Sequence, residues 1–203
     1  MEKIVLDCDG VILDYNHTWG KILSKFLNKD IFPKTVAYHA SNVFGYHLTS
    51  QEKKVFYKLF EEHGWQNMIP LDGALKALKI LEKKFEIHIV TSIPQEANKL
   101  RRSNLKSLDI MFSSLHTVGF HKTINTKKEI INQINPVYFV DDLLKNFIDI
   151  NKEINCVLID LPGEDNPNLE FLKTNSKNMA GLVIFAIQNK IINLEDSNTD
   201  IES

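Results

Sequence analysis

The sequence predicts an α/β protein built on a doubly wound parallel sheet, with a block of helices inserted after the first strand. Short apolar runs of strand length recur along the chain with amphipathic helical patterns between them, the alternation that builds parallel sheets. Residues 15–70 break that alternation, holding helical patterns and no convincing strand. The chain has 203 residues, roughly 1.4 domains of about 150 residues each, so one core carrying an insertion accounts for the length.

The first apolar run, 3–7, is the first strand, and it leads straight into Asp7-Cys8-Asp9-Gly10. Within the insertion, 19–27 and 51–62 carry helical periodicity. The α/β pattern resumes at Leu71-Asp72-Gly73. A helix over 73–84 places Leu75, Leu78 and Leu81 on one face, with Asp72 expected as its N-cap. Residues 86–91 read as the second strand, and 109–118 as a further one interrupted by Ser113-Ser114. Residues 126–135 read as a helix with Ile130, Ile131 and Ile134 inward and Thr126 as its cap; 137–141 and 155–160 are strands. The expected organisation is a discontinuous core of 1–14 and 71–190, a helical insertion of 15–70, and a polar, acidic tail, 194–203, expected to fray.

Composition excludes several classes. Hydrophobic residues at 43% and charged residues at 25% suit a globular core. A formal net charge of −2 provides no global field for nucleic acid or acidic membranes, so an anionic ligand must be held by local groups. The apolar stretch 180–187 is too short to cross a bilayer. The N-terminus has no secretory pattern, and Cys8 and Cys156 have no pairing framework; a reducing, cytoplasmic setting is expected, in which the sequon Asn16-His17-Thr18 has no role. Seven histidines form no ligand spacing, which argues against zinc. Arginine occurs only at Arg101 and Arg102 in a chain rich in Lys, Ile and Asn, which reads as nucleotide-composition bias.

Three of the strands end in polar clusters: Asp7-Cys8-Asp9-Gly10, Thr91-Ser92 and Asp141-Asp142. The carboxyl edge of a parallel sheet is where ligands bind, so these clusters are expected to meet. Alternation puts Asp7 and Asp9 on one side with Cys8 turned into packing. Four carboxylates in one volume raise one another's pKa values, a conflict that a bound cation resolves, and an all-oxygen donor set suits magnesium.

In order, Asp7-Cys8-Asp9-Gly10-Val11, Thr91 closing a strand, a lysine opening a helix and Phe139-Val140-Asp141-Asp142 resemble the four motifs of the haloacid dehalogenase-like (HAD) hydrolase superfamily. The resemblance covers about residues 1–15 and 70–160. It implies a Rossmann-like, HAD-like sheet, with the insertion as a small helical cap of the kind that follows the first motif. The size, the cap and the Asp-Asp form of the last motif are most similar to small-molecule phosphatases, 5'(3')-deoxyribonucleotidases among them. No Lys-Pro follows the third motif, and the last lacks the Gly-Asp-x-x-x-Asp form, which leaves the subfamily open.

The resemblance implies a phosphomonoester hydrolase that requires Mg2+ and acts on a small phosphorylated metabolite, a nucleotide being one candidate. Asp7 is the implied nucleophile, forming an aspartyl-phosphate, and Asp9 the implied general acid and base. Thr91 and the amide of Ser92 would hold phosphate, with a helix N-cap as the competing role for either residue. Lys122, Lys127 and Lys128 all precede the Asp141 strand, and Lys127 is chosen because Thr126 would cap the helix in front of it. Asp7, the Asp9 carbonyl and one of the paired aspartates would hold the metal, with Asp142 favoured as direct ligand and Asp141 beside it. Phe44, Tyr46, His47 and Trp65 either line a substrate pocket or pack the cap's own core, the latter favoured. A phosphomutase shares every residue named. A receiver-type phosphate-sensing domain also uses aspartates, a Thr or Ser and a Lys, but in a different motif order and without the insertion. No nucleic-acid or membrane partner is expected, and the oligomeric state is undetermined.

Overall fold

A computed structural model describes residues 1–175 and 185–188. It contains six parallel strands: β1 (Glu2–Leu6), β2 (Phe85–Thr91), β3 (Ser114–Thr117), β4 (Tyr138–Asp141), β5 (Asn155–Asp160) and β6 (Phe185–Gln188), ordered β3-β2-β1-β4-β5-β6. Chain order reverses at β1, which pairs Leu6 with Ile89 of β2 on one side and with Val140 of β4 on the other. Successive residues of β1 feed opposite layers: Ile4 and Leu6 pack with Ile87, Ile89 and Leu78, whereas Val5 packs with Val90, Phe139 and Ile131. Burial on both faces is why these strands read as continuous apolar runs.

Helix α1 (Tyr15–Leu27) starts at Asp14, whose carboxylate accepts from the amide of His17 at 2.8 Å. The short α2 (Ala40–Phe44) and then α3 (Ser50–His63) follow; α3 opens with a Thr49/Glu52 capping box. These inserted helices share an aromatic core in which Trp19 lies 5.8 Å from Phe44 and 5.1 Å from Phe56, between ring centroids. Gly20 is required there, since a Cβ would sit 2.2 Å from Phe44. The same apolar cluster continues into the sheet through Val11 and Leu13.

The remaining helices are α4 (Ala74–Leu81), α5 (Asn98–Ser107), α6 (Lys128–Ile134) and α7 (Pro167–Asn175). Two expected caps are corrected. Gly73, at φ 79°, precedes α4 instead of an Asp72 side-chain cap, and Thr126 donates to the carbonyl of Gly119 instead of capping α6. The strand expected across 109–118 is confined to Ser114–Thr117, because Asp109 turns at φ 56° after α5. Thr91 and Ser92 cap no helix: a 3₁₀ turn at Gln95–Ala97 intervenes, and α5 begins after it. Of the apolar stretch 180–187, the described part lies in β6; the expected tail, 194–203, lies outside the described residues. Among the described residues no helix is long and apolar enough to cross a membrane.

Candidate active site at the carboxyl edge of the sheet

Strands β1, β2 and β4 are neighbours, so their carboxyl ends open onto one crevice at the point where the strand order reverses. The amide of Asp7 donates to the carbonyl of Val140 at 2.9 Å, extending the β1/β4 pairing by one residue and setting Asp7 beside Asp141. Past Asp7 the chain turns sharply, with the amides of Ile12 and Leu13 both donating to the carbonyl of Cys8. Gly10 adopts φ +83° in this turn, and a Cβ there would stand 2.6 Å from Oδ2 of Asp142. Only glycine allows both the left-handed turn and so close an approach to the carboxylate.

Lys127 lies at the centre with no exposed surface. Its Nζ is 2.8 Å from Oδ2 of Asp7 and 2.6 Å from Oδ2 of Asp141. The other oxygen of Asp141 accepts from the Leu143 amide and from Nδ2 of Asn146, each at 2.8 Å. Asp141 is therefore committed to the protein on both oxygens. Asp142 is held differently: Asn168 donates to its carbonyl at 2.7 Å, and Tyr38, from the inserted segment, donates its hydroxyl to Oδ2 at 2.9 Å. Oxygens from Asp7, Asp141 and Asp142 lie within 4.8 Å of one another. The other candidate lysines lie elsewhere, Lys122 exposed and Lys128 paired with Asp149 at 2.9 Å.

Asp9 has its own cationic partner. Its Oδ1 accepts from Nη2 of Arg101 at 2.6 Å, and the Arg101 guanidinium is fully buried with its carbon 5.5 Å from the Trp65 ring centre. Nε and Nη1 of Arg101 have no hydrogen-bond partner among the described residues. Sequence reasoning missed Arg101. The signal was its rarity: in a chain that otherwise uses lysine, a planar and permanently charged group is retained where it must be buried against a carboxylate and a ring. Thr91 ends β2 almost fully buried, and Oγ of the adjoining Ser92 is buried without a partner among the described residues. Phe44 and Trp65 belong to the packed core, Tyr46 donates to Glu52, and His47 is exposed.

The electrostatics follow from burial. Burial lifts the Asp142 carboxyl well above the usual range, and the neighbouring Asp141 and Asp7 charges add to it. Asp141 is pushed up to about 6 by burial, with Lys127 opposing. Burial also raises Asp9, opposed by Arg101. Desolvation alone would lower Lys127, but Asp141 and Asp7 hold its ammonium well above the ordinary lysine range. Burial pushes Cys8 up to about 12, so this thiol is an inert packing group. Asp7, Asp141 and Asp142 gather three carboxyl groups around the single Lys127 ammonium, with the Asp9–Arg101 pair beside them, so acidic groups outnumber cations at an all-oxygen donor set. A hard divalent cation fits both the charge and the donors.

No protein-family model and no curated protein matches the sequence. Solved structures do match in fold. A haloacid dehalogenase-like hydrolase family protein from Streptococcus pneumoniae aligns over 94% of both chains with a TM-score of 0.59 at 14% identity. A Thermotoga maritima protein assigned as a β-phosphoglucomutase aligns over 93% of this chain and 95% of its own, with a TM-score of 0.54 at 16% identity. A Bacillus subtilis protein assigned as a HAD hydrolase, in a magnesium-bound structure, aligns over 86% of this chain and 98% of its own, with a TM-score of 0.52 at 14% identity. At these identities the likeness is one of fold: the chain has the HAD-like α/β fold, with helices inserted after the first strand.

Proposed function

We propose that the protein is a magnesium-dependent phosphomonoester hydrolase that works through an aspartyl-phosphate on Asp7. One observation carries the reading: Asp7, Asp141 and Asp142 converge around the buried Lys127 at the carboxyl edge of β1 and β4, with Asp9 beside them on Arg101. A carboxylate aligned by an ammonium at 2.8 Å is a positioned nucleophile, and the same ammonium is a ready partner for a phosphoryl oxygen.

In the first step an oxygen of Asp7 bonds to phosphorus while the bond from phosphorus to the ester oxygen breaks. Asp9 gives its proton to the departing alkoxide. Burial already favours the neutral Asp9, and an arriving phosphate dianion favours it further. In the second step water attacks phosphorus, Asp9 takes the proton, and the bond to Asp7 breaks to release phosphate. Thr91 and Ser92 would supply donors to the phosphoryl oxygens, and the unpartnered Oγ of Ser92 is an additional candidate. Magnesium would be held by the Asp7 carboxylate, the Asp9 carbonyl and Asp142, with Asp141 adjacent and occupied by Lys127, Asn146 and the Leu143 amide. When bound, the ion neutralises charge on the phosphoryl group.

The substrate is proposed as a small phosphorylated metabolite, with nucleoside monophosphates among the candidates. The free, buried Cys8 and Cys156 suit a reducing cytoplasm. A phosphomutase would use the same residues and pass the phosphoryl group to a sugar phosphate, as the assignment of the Thermotoga neighbour suggests. A receiver-type domain is disfavoured by the helices between β1 and β2. The test is release of inorganic phosphate from an aryl phosphate with Mg2+, followed by a panel of phosphorylated metabolites that includes deoxynucleoside monophosphates and sugar phosphates. Phosphate release supports hydrolysis; isomerisation of a sugar phosphate without release supports the mutase; inertness throughout rejects both.

A further inference from the structure

Tyr38 lies between α1 and α2 and does two things at once. Its hydroxyl donates to Oδ2 of Asp142 at 2.9 Å, while its backbone is fastened to the loop that follows β5. That fastening is a single carboxylate: Asp165 accepts from the amide of Tyr38 at 2.7 Å, the amide of His39 at 3.0 Å and Nδ2 of Asn42 at 2.6 Å. Gly163 allows the two segments to touch, since a Cβ there would stand 2.5 Å from the Tyr38 nitrogen. From the other side, Nδ2 of Asn16 donates to the Tyr38 carbonyl at 3.1 Å. The loop that holds Tyr38 runs on into Asn168, which grips the Asp142 carbonyl at 2.7 Å. Asp142 is thus held at its backbone by the first turn of α7 and at its carboxylate by a phenol that the loop before α7 positions.

We infer that Tyr38 is a positioning residue for the ion-binding carboxylate, fixing the Asp142 side chain for a divalent cation, and that Asp165 acts through Tyr38 as the clamp that joins the inserted helices to this site. The inference rests on the proposed metal reading. Among the described residues no lysine or asparagine is bonded to the Asp142 carboxylate as Lys127 and Asn146 are to that of Asp141, so the Tyr38 hydroxyl is the group that sets its rotamer. Second-sphere hydrogen bonds of this kind orient ligands, and losing one lowers metal affinity by about 10- to 100-fold. Because the phenol comes from the inserted segment, occupancy of the ion site is coupled to docking of that segment.

The experiment is calorimetric titration of Mg2+ into the metal-free full chain, for wild type, Tyr38→Phe, Asp165→Ala and the double variant, with melting curves in chelator as a fold control. The expected result is an affinity about 10-fold lower or more in Tyr38→Phe, with a cooperative melt in chelator well above the titration temperature that shows the variant is folded. Asp165→Ala falls by a similar factor, and the double variant is no weaker than Tyr38→Phe, because both act through one hydroxyl. If Asp165→Ala melts early, Asp165→Asn, which preserves shape, replaces it. Wild-type affinity in Tyr38→Phe overturns the positioning role, and independent, multiplying losses in the double variant overturn the clamp. A wild-type chain with no Mg2+ affinity, or one that Asp142→Asn leaves unchanged, overturns the metal reading itself and the inference with it.

Discussion

Replacing Lys127 by methionine removes the internal cation of the carboxylate cluster while keeping most of its buried volume. In the wild type its ammonium is fully buried at 2.8 Å from Asp7 and 2.6 Å from Asp141, both nearly or fully buried themselves. Deleting one partner of such a pair leaves uncompensated buried charge and costs about 3–5 kcal/mol. For a chain of this size that corresponds to a fall in melting temperature of about 6–20 °C in chelator. The pH dependence has a definite sign. Asp141 is already pushed up to about 6 by burial despite Lys127; without the lysine its folded-state pKa rises further above the ordinary unfolded value of about 3.9. The folded variant then binds protons more tightly than the unfolded chain, so its deficit is largest at neutral pH and shrinks as pH falls. Scanning calorimetry in chelator between mildly acidic and neutral pH reads both effects. A Lys127→Met chain that melts with the wild type, or one whose deficit grows on acidification, refutes the electrostatic account of the cluster.

Arg101→Met leaves Asp9 without its counter-ion and costs about 2 kcal/mol or more, read as a lower urea midpoint; Arg101→Lys fails to restore it because the planar group also lies over Trp65, and an unchanged midpoint in both variants rejects the pairing. Gly10→Ala forces a Cβ to 2.6 Å from Asp142 at φ +83°, with an expected loss of about 1–3 kcal/mol and weakened Mg2+ binding by titration; wild-type values for both contradict the close-approach argument. Although burial pushes Asp165 upward, hydrogen bonds from the Tyr38 amide, Asn42 and the His39 amide hold it below the usual carboxylate range. Its contribution is therefore present above the unfolded value of about 3.9 and lost as pH falls through the folded one. Asp165→Asn flattens the acid limb of a melting-temperature profile, whereas parallel wild-type and variant profiles reject the assignment.

What was legible in the sequence is what parallel sheets make legible. Strands buried on both faces are apolar runs, and the residues at their ends stand out because they are polar, which is how Asp7, Thr91 and Asp141-Asp142 were found. Lys127 was separable from Lys122 and Lys128 only by its family-like position in front of α6; the Thr126 cap offered in its support is absent, and what distinguishes it in the structure is burial between two aspartates. Helix α5 gave no apolar period because the side chains it buries are Arg101, Asn104 and Leu105, two of them polar and active in hydrogen bonding. Arg101 was hidden for the same reason. Tyr38 and Asp165 sit in irregular segments 127 positions apart, and no local pattern announces a hydrogen bond of that span.

Every role proposed at this site depends on Asp7 being the nucleophile of a phosphate-ester hydrolase. The most direct test of that assignment is steady-state hydrolysis of an aryl phosphate with Mg2+ by the wild type and by Asp7→Asn, each checked for folding by its melting curve. The expected result is turnover in the wild type that stops in chelator, and a folded Asp7→Asn chain with none. A folded Asp7→Asn chain that releases phosphate at the wild-type rate would contradict it.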